Sequence, residues 1–152
     1  MYYRFHLVIF NLSCLFLLNF MGCRSQSFFE QYALDANSLG VELHKSTDFP
    51  RSLPIKRSER ELLTAGKKEG FSCFAEYYLL DESTDPTTFL PREKGWKKHS
   101  EGLYIKERDF FLDGVPQFET EIFFTTGKNL LYAHFLGKEP QNLKELFPAL
   151  YQ

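Results

Sequence analysis

From position 117 onward the chain alternates. Phe118, Thr120, Ile122 and Phe124 fall on one side, and Gln117, Glu119 and Glu121 on the other. A period of two marks a strand with one buried face. Residues 103–112 and 130–136, rich in Tyr, Ile, Phe and Leu, flank this segment as further strands. Asp113-Gly114 joins the first pair with a hairpin signal. Thr126-Gly127-Lys128-Asn129 turns the chain again. Connections this short join only antiparallel neighbours, so a three-stranded meander is predicted. Residues 71–80 form a fourth strand, in which Phe71, Cys73, Ala75, Tyr77 and Leu79 make a wholly apolar face. Ser72, Phe74, Glu76, Tyr78 and Leu80 make a mixed one.

Elsewhere the spacing lengthens toward that of a helix. Ser27 and Glu30 stand as a capping box before Phe28, Tyr32 and Leu39, with Phe29, Ala33 and Ala36 beside them. Gly40 is a natural stop, so a helix over about 28–38 is predicted. Ser58 and Glu61 repeat the capping pattern and predict a second helix through Lys68, weakened by Gly66 and ended by Gly70. Asn142 and Glu145 open a short terminal helix that Pro148 keeps short. Residues 41–57 and 81–98, with Pro50, Pro54, Pro86 and Pro91, are expected to be loops. Helices segregated from four strands predict an α+β fold: N-terminal helices on a four-stranded, mainly antiparallel sheet that ends in the meander.

The first residues follow a different logic. Residues 7–20 contain no charged side chain and follow Arg4. Fourteen residues are too few for a membrane span of about 20. They suit the apolar centre of a signal peptide, about 7–15 residues long. Small Gly22 stands directly before Cys23. This end resembles the lipobox of bacterial lipoproteins, with Phe20 and Met21 where the common pattern has Leu and a small residue. The resemblance covers the first 23 residues only. It implies removal of residues 1–22, lipidation of Cys23 and attachment to a bacterial envelope membrane; Arg24 after the Cys hints at the outer one. An uncleaved anchor and a conventional signal are the alternatives. Residues 24–27 would form a tether reaching about 10 Å, leaving 28–152 as a single small domain against the membrane.

Composition narrows the chemistry. Beyond residue 22 stand 17 basic and 20 acidic residues, an acidic balance that speaks against nucleic acid as a partner. With Cys23 lipidated, Cys73 is the one thiol left in the domain; without lipidation a Cys23–Cys73 bridge is the rival. Thirteen Phe follow the signal, as expected of a phenylalanine-rich core. There is no Gly-x-Ser-x-Gly, His-Glu-x-x-His, phosphate loop or dinucleotide fingerprint, and no cofactor or metal is expected.

Three weaker constellations remain. Cys73 and His134 have the order of a thiol protease, but Cys73 falls on the apolar face of its strand. Glu107 and Asp109 share one side of a strand, and Glu119 and Glu121 share one side of the next. They could bind a cation or flank a glycosidic bond. Paired with Lys106 and Arg108 across strands, they would simply be a solvated face. The segment Glu93-Lys94-Gly95-Trp96-Lys97-Lys98-His99 holds the only Trp, and Trp96, Lys97, Lys98 and His99 are the candidate binding residues. A Trp beside positive charge suits a headgroup, a sugar or a protein anchor pocket; the alternative is that Trp96 folds back to cap the sheet edge while the lysines face water. The expectation is therefore a lipid-anchored, non-enzymatic binding domain, its partner an envelope or host protein. A small glycan-acting hydrolase and a purely structural envelope lipoprotein are the alternatives.

Overall fold

The computed structural model describes residues 27–48 and 52–152. Residues 1–22, read above as a signal peptide, and Cys23 lie outside the described residues. In chain order come α1 (Phe28–Gln31), α2 (Ala36–Leu39), β1 (His44–Ser46), β2 (Arg60–Lys68), β3 (Phe71–Leu79), a 3-10 turn (Pro86–Phe89), β4 (Lys97–Ser100), β5 (Leu103–Leu112), β6 (Val115–Thr126), β7 (Asn129–Gly137), α3 (Leu143–Leu146) and a final 3-10 turn (Pro148–Tyr151). All seven strands join one antiparallel sheet, in the order β1-β2-β3-β7-β6-β5-β4.

This overturns the α+β expectation. The molecule is a seven-stranded antiparallel sheet with helices of four residues each, not a helical layer on four strands. The largest correction is at residues 58–68. The Ser58 hydroxyl does reach the Glu61 carboxylate, but no helix follows. Arg60 to Lys68 pair residue for residue with Leu79 to Phe71 instead. Leu62, Leu63 and Ala65 suit either period, and nine cross-strand partners outweigh one cap. Gly66, read as a helix weakener, lies against β1's approach: a Cβ there would sit 2.6 Å from Val41 Cγ1 and 2.8 Å from Leu43 Cδ2. Two short strands, β1 and β4, occupy segments expected to be loops.

The predicted helix over 28–38 breaks into two turns. The capping box forms at Ser27 and Glu30 as expected. At Tyr32, however, the carbonyl accepts from the Tyr77 hydroxyl at 3.1 Å, and the Leu34 N–H donates to that same hydroxyl at 3.1 Å. Asp35 then donates its N–H to the Leu146 carbonyl and caps α2 with its side chain. Eleven residues are marginal as an isolated helix, so tertiary hydrogen bonds decide their shape. The meander β5-β6-β7, the Asp113-Gly114 turn with positive φ at both residues, the left-handed stop at Gly40 and the short α3 all stand as read.

The sheet is covered on both faces. On the first, the helical face, Phe71, Cys73, Ala75 and Tyr77 of β3 meet Leu131, Ala133 and Phe135 of β7 and Ile122 of β6, under Leu34, Leu39, Leu143, Leu146 and Phe147. Phe28 and Tyr32 of the N-terminal turns lie on Phe124, with ring centroids 6.4 and 4.9 Å away. Each large apolar side chain fully buried here is worth about 1.5–3 kcal/mol. On the second, the loop face, Tyr78, Phe123 and Leu130 are buried beneath Ile55 and Leu80. Residues 52–57 and 84–96 cover only one end of that face, and the candidate site lies at their margin.

Candidate functional site

Strand register sets out the loop face in rows. Glu76 of β3 stands opposite Tyr132 of β7, which stands opposite Phe123 of β6, which stands opposite Tyr104 of β5. The next row runs Phe74, His134, Glu121, Lys106. The third runs Ser72, Leu136, Glu119, Arg108. Alternation carries polar side chains to this face, because their neighbours on each strand are needed in the core on the other.

The polar groups engage along and between the rows. Lys106 Nζ lies 3.0 Å from Glu121 Oε1, and the Tyr132 hydroxyl donates to Glu121 Oε2 at 2.7 Å. Arg108 pairs with Glu119 through Oε2, and His134 Nε2 lies 3.0 Å from Glu119 Oε1. Phe74 stacks on the His134 ring at 5.3 Å. Burial alone would raise the Glu119 pKa, but hydrogen bonds from His134 and Arg108 outweigh it and hold the carboxyl below its ordinary value. Burial, reinforced by the Glu121 carboxylate, pushes the Tyr132 hydroxyl up, so it stays a neutral donor.

Glu76 is the exception among the acids. It is 1% exposed. Its carboxyl accepts from the Ser52 N–H at 3.0 Å, the Ser52 hydroxyl at 2.9 Å and the Tyr78 hydroxyl at 2.8 Å. Burial raises its pKa, and those hydrogen bonds offset the rise only in part. It fastens Ser52, at the wall of a cleft, onto the sheet.

That cleft has a volume of about 460 Å³. Leu53, Phe89, Trp96, Phe123 and Tyr132 supply its apolar walls, and Arg92, Glu93 and Glu121 its charges. Trp96 is half-buried, and the Lys106 ammonium lies 5.7 Å from its ring. Lys106 also reaches Glu93 at 3.8 Å. The arrangement offers an aromatic wall beside one fixed cation and one fixed carboxylate. It suits a ligand group with a flat or apolar body and a polar edge.

The four sequence candidates for binding do not share a surface. Trp96 belongs to the loop-face cleft. Lys97 and His99, in β4 rather than in a loop, turn to the helical face, where His99 packs edge-on to Tyr151 at 5.4 Å. Lys98, opposite Tyr104, is exposed on the loop face. The strand carboxylates also divide. Glu107 pairs with Thr120 and so faces the helical side with Asp109, whereas Glu119 and Glu121 face the loop side. The cross-strand pairing anticipated for Lys106 and Arg108 forms with the second pair only. Cys73 and His134 lie on opposite faces of the sheet; Cys73 is buried, and its burial raises the thiol pKa.

Glu76, Lys106 and Tyr132 were not singled out as a site from sequence. The available signal was a lone Glu in an otherwise apolar and aromatic strand, but its partner Ser52 is 24 residues away. Among the described residues no cluster of three or more His, Cys, Asp or Glu is placed to hold a metal ion, and no helix is long and apolar enough to cross a membrane. No protein-family model, curated protein or solved structure matches this chain.

Proposed function

We propose that this chain is a bacterial envelope lipoprotein, anchored through Cys23, whose domain binds a protein partner through the Trp96 cleft without catalysing a reaction. One observation carries the binding reading: a half-buried Trp at the mouth of an aromatic-walled cleft, with Lys106 against its ring and Glu121 behind it. Trp and its desolvated surroundings are where interface energy concentrates. The cleft's polar groups already hold one another in ion pairs and hydrogen bonds. They are therefore preorganised for recognition and costly to draw into proton transfer.

A photo-crosslinking residue at exposed Arg92, in growing cells expressing the full chain, tests the cleft. A discrete crosslinked protein is expected. Trp96→Ala should reduce it at least tenfold, about 1.4 kcal/mol or more. Trp96→Phe should restore part of it, and exposed Lys98→Ala should leave it unchanged. Equal crosslinking in Trp96→Ala and Lys98→Ala would remove the cleft from the binding role. The anchor is tested separately by the intact mass of the N-terminal peptide. An acylated Cys23, lost when lipoprotein signal peptidase is inhibited, is expected; an unmodified terminus refutes the anchor and leaves the cleft untouched.

A further inference from the structure

At one end of the sheet β5 and β6 run on beyond their neighbours. β4 pairs with β5 only at Leu103, Tyr104 and Ile105, and β7 accompanies β6 only as far as Phe118. Residues 110–117 therefore form a two-stranded ribbon that ends in the Asp113-Gly114 turn, and residues 107–109 lead into it along the sheet's outer edge. Its tip carries Phe111 at 76%, Leu112 at 57% and Val115 at 40% exposure, the exposed large hydrophobics among the described residues. The outer edge of β5 from 107 to 112 has no strand beside it. Its unpaired N–H and C=O groups form a template for another extended chain.

The charges along that edge select what can pair with it. Lys106 and Arg108 point to the loop face, and Glu121 and Glu119 already answer them. Glu107 and Asp109 point to the helical face, are exposed, and form no ion pair with a cation among the described residues. Asp113 adds another exposed carboxylate at the tip. The unmet charge on the ribbon is therefore negative.

A second copy is a poor occupant. Two-fold antiparallel pairing about Arg108 sets Glu107 against the other copy's Asp109, and pairing about Asp109 sets that carboxylate against itself; like charges directly opposite are destabilising. A bilayer is a poor one too. Anionic headgroups repel this edge, and the ribbon lies at the far end of the sheet from α1. Phe28 of α1 stacks on Phe124, nine residues along β6 from Val115; at about 3.3 Å per residue that is roughly 30 Å. We propose that the ribbon is a docking edge for a protein partner. An extended segment of that partner adds as a strand beside residues 107–112, with Lys or Arg at alternate positions against Glu107 and Asp109 and an apolar residue over Phe111. Backbone pairing supplies affinity and the alternate side chains supply specificity. This surface is separate from the Trp96 cleft and does not depend on it.

The test uses the full chain as bait for a displayed library of random twelve-residue peptides. The enriched peptides are expected to carry Lys or Arg at every second position with a neighbouring apolar residue. The selected peptide, synthesised, should protect the amides of residues 107–112 from hydrogen exchange. Phe111→Asp should weaken its binding at least tenfold. Asp109→Lys should shift preference toward acidic peptides, and Trp96→Ala should change nothing. Both ribbon substitutions are at exposed positions, and an unchanged melting temperature confirms that they fold. The proposal is overturned if no peptide is enriched, if the enriched peptides lack basic alternation, if protection falls elsewhere, or if Asp109→Lys leaves the preference intact. It is equally overturned if Phe111→Asp abolishes either a dimer seen by sedimentation equilibrium or cosedimentation with phosphatidylglycerol vesicles, since the ribbon would then serve a second copy or a lipid surface.

Discussion

Glu76 and Gly66 show how single residues answer to surroundings that lie far away in the chain. Glu76 reads as one polar member of a mixed strand face, yet it is sealed under the 52–57 segment by Ser52 and Tyr78. Because burial raises its folded pKa above the ordinary carboxylate value, the folded chain binds its proton more tightly than the unfolded chain does. The resulting penalty is absent well below pH 4.5, grows as pH rises through the interval up to the raised value, and is constant above it. Glu119 has the opposite sign: its lowered pKa stabilises the fold above pH 4.5, and that contribution is lost as pH falls. Urea midpoints of the native chain should therefore fall, relative to those of Glu76→Gln, as pH rises above the ordinary carboxylate range. Parallel curves for the two proteins would show that the carboxyl is not desolvated. Cys73 makes the complementary point, since its position on the apolar face of β3 was legible from alternation alone, and it is buried there.

At the scale of elements, legibility followed the distance to the deciding partner. The β5-β6 hairpin carries its instructions within itself: alternating faces, a two-residue turn, and Asp113 and Gly114 in the left-handed region. Its register in turn placed Lys106 against Glu121 and Arg108 against Glu119. β2 carries no such instruction. Leu62, Leu63 and Ala65 fit a helix or a strand, and the choice falls to β3 on one side and β1 on the other. Gly66 marks the spot where that choice is visible. In a helix Gly66→Ala would stabilise by roughly 0.5–1 kcal/mol. Here the new methyl meets Val41 and Leu43, so a loss of about 1–3 kcal/mol from overpacking is expected in urea unfolding. A gain in stability would mean that the segment is helical after all. The same locality rule explains α1 and α2, where Tyr77, 45 residues from Tyr32, interrupts what local spacing would have continued.

The whole molecule is built from non-local pairings. β3, at the middle of the chain, joins β7 near its end through nine register pairs, and this seam holds the β1-β2-β3 and β4-β5-β6-β7 parts together. Loop closure must precede the reward from such contacts, so refolding is expected on the millisecond-to-second scale typical of sheet proteins. Stopped-flow fluorescence of Trp96 measures it; completion within microseconds would contradict a seam-limited fold. The sequence by itself determined the apolar and polar faces of four strands, the meander and its turns, and the Trp96-bearing segment as the one to watch. Each rests on residues within a few positions of one another. Only the tertiary structure decided that residues 60–68 are a strand and that the helices are single turns. It also decided that Trp96 parts company with Lys97 and His99, and that buried Glu76 holds Ser52 at the cleft wall. The physical reason is the same throughout: an ambiguous or short segment is settled by the hydrogen bonds and burial that a distant strand supplies, and local spacing does not record which strand will come to lie beside it.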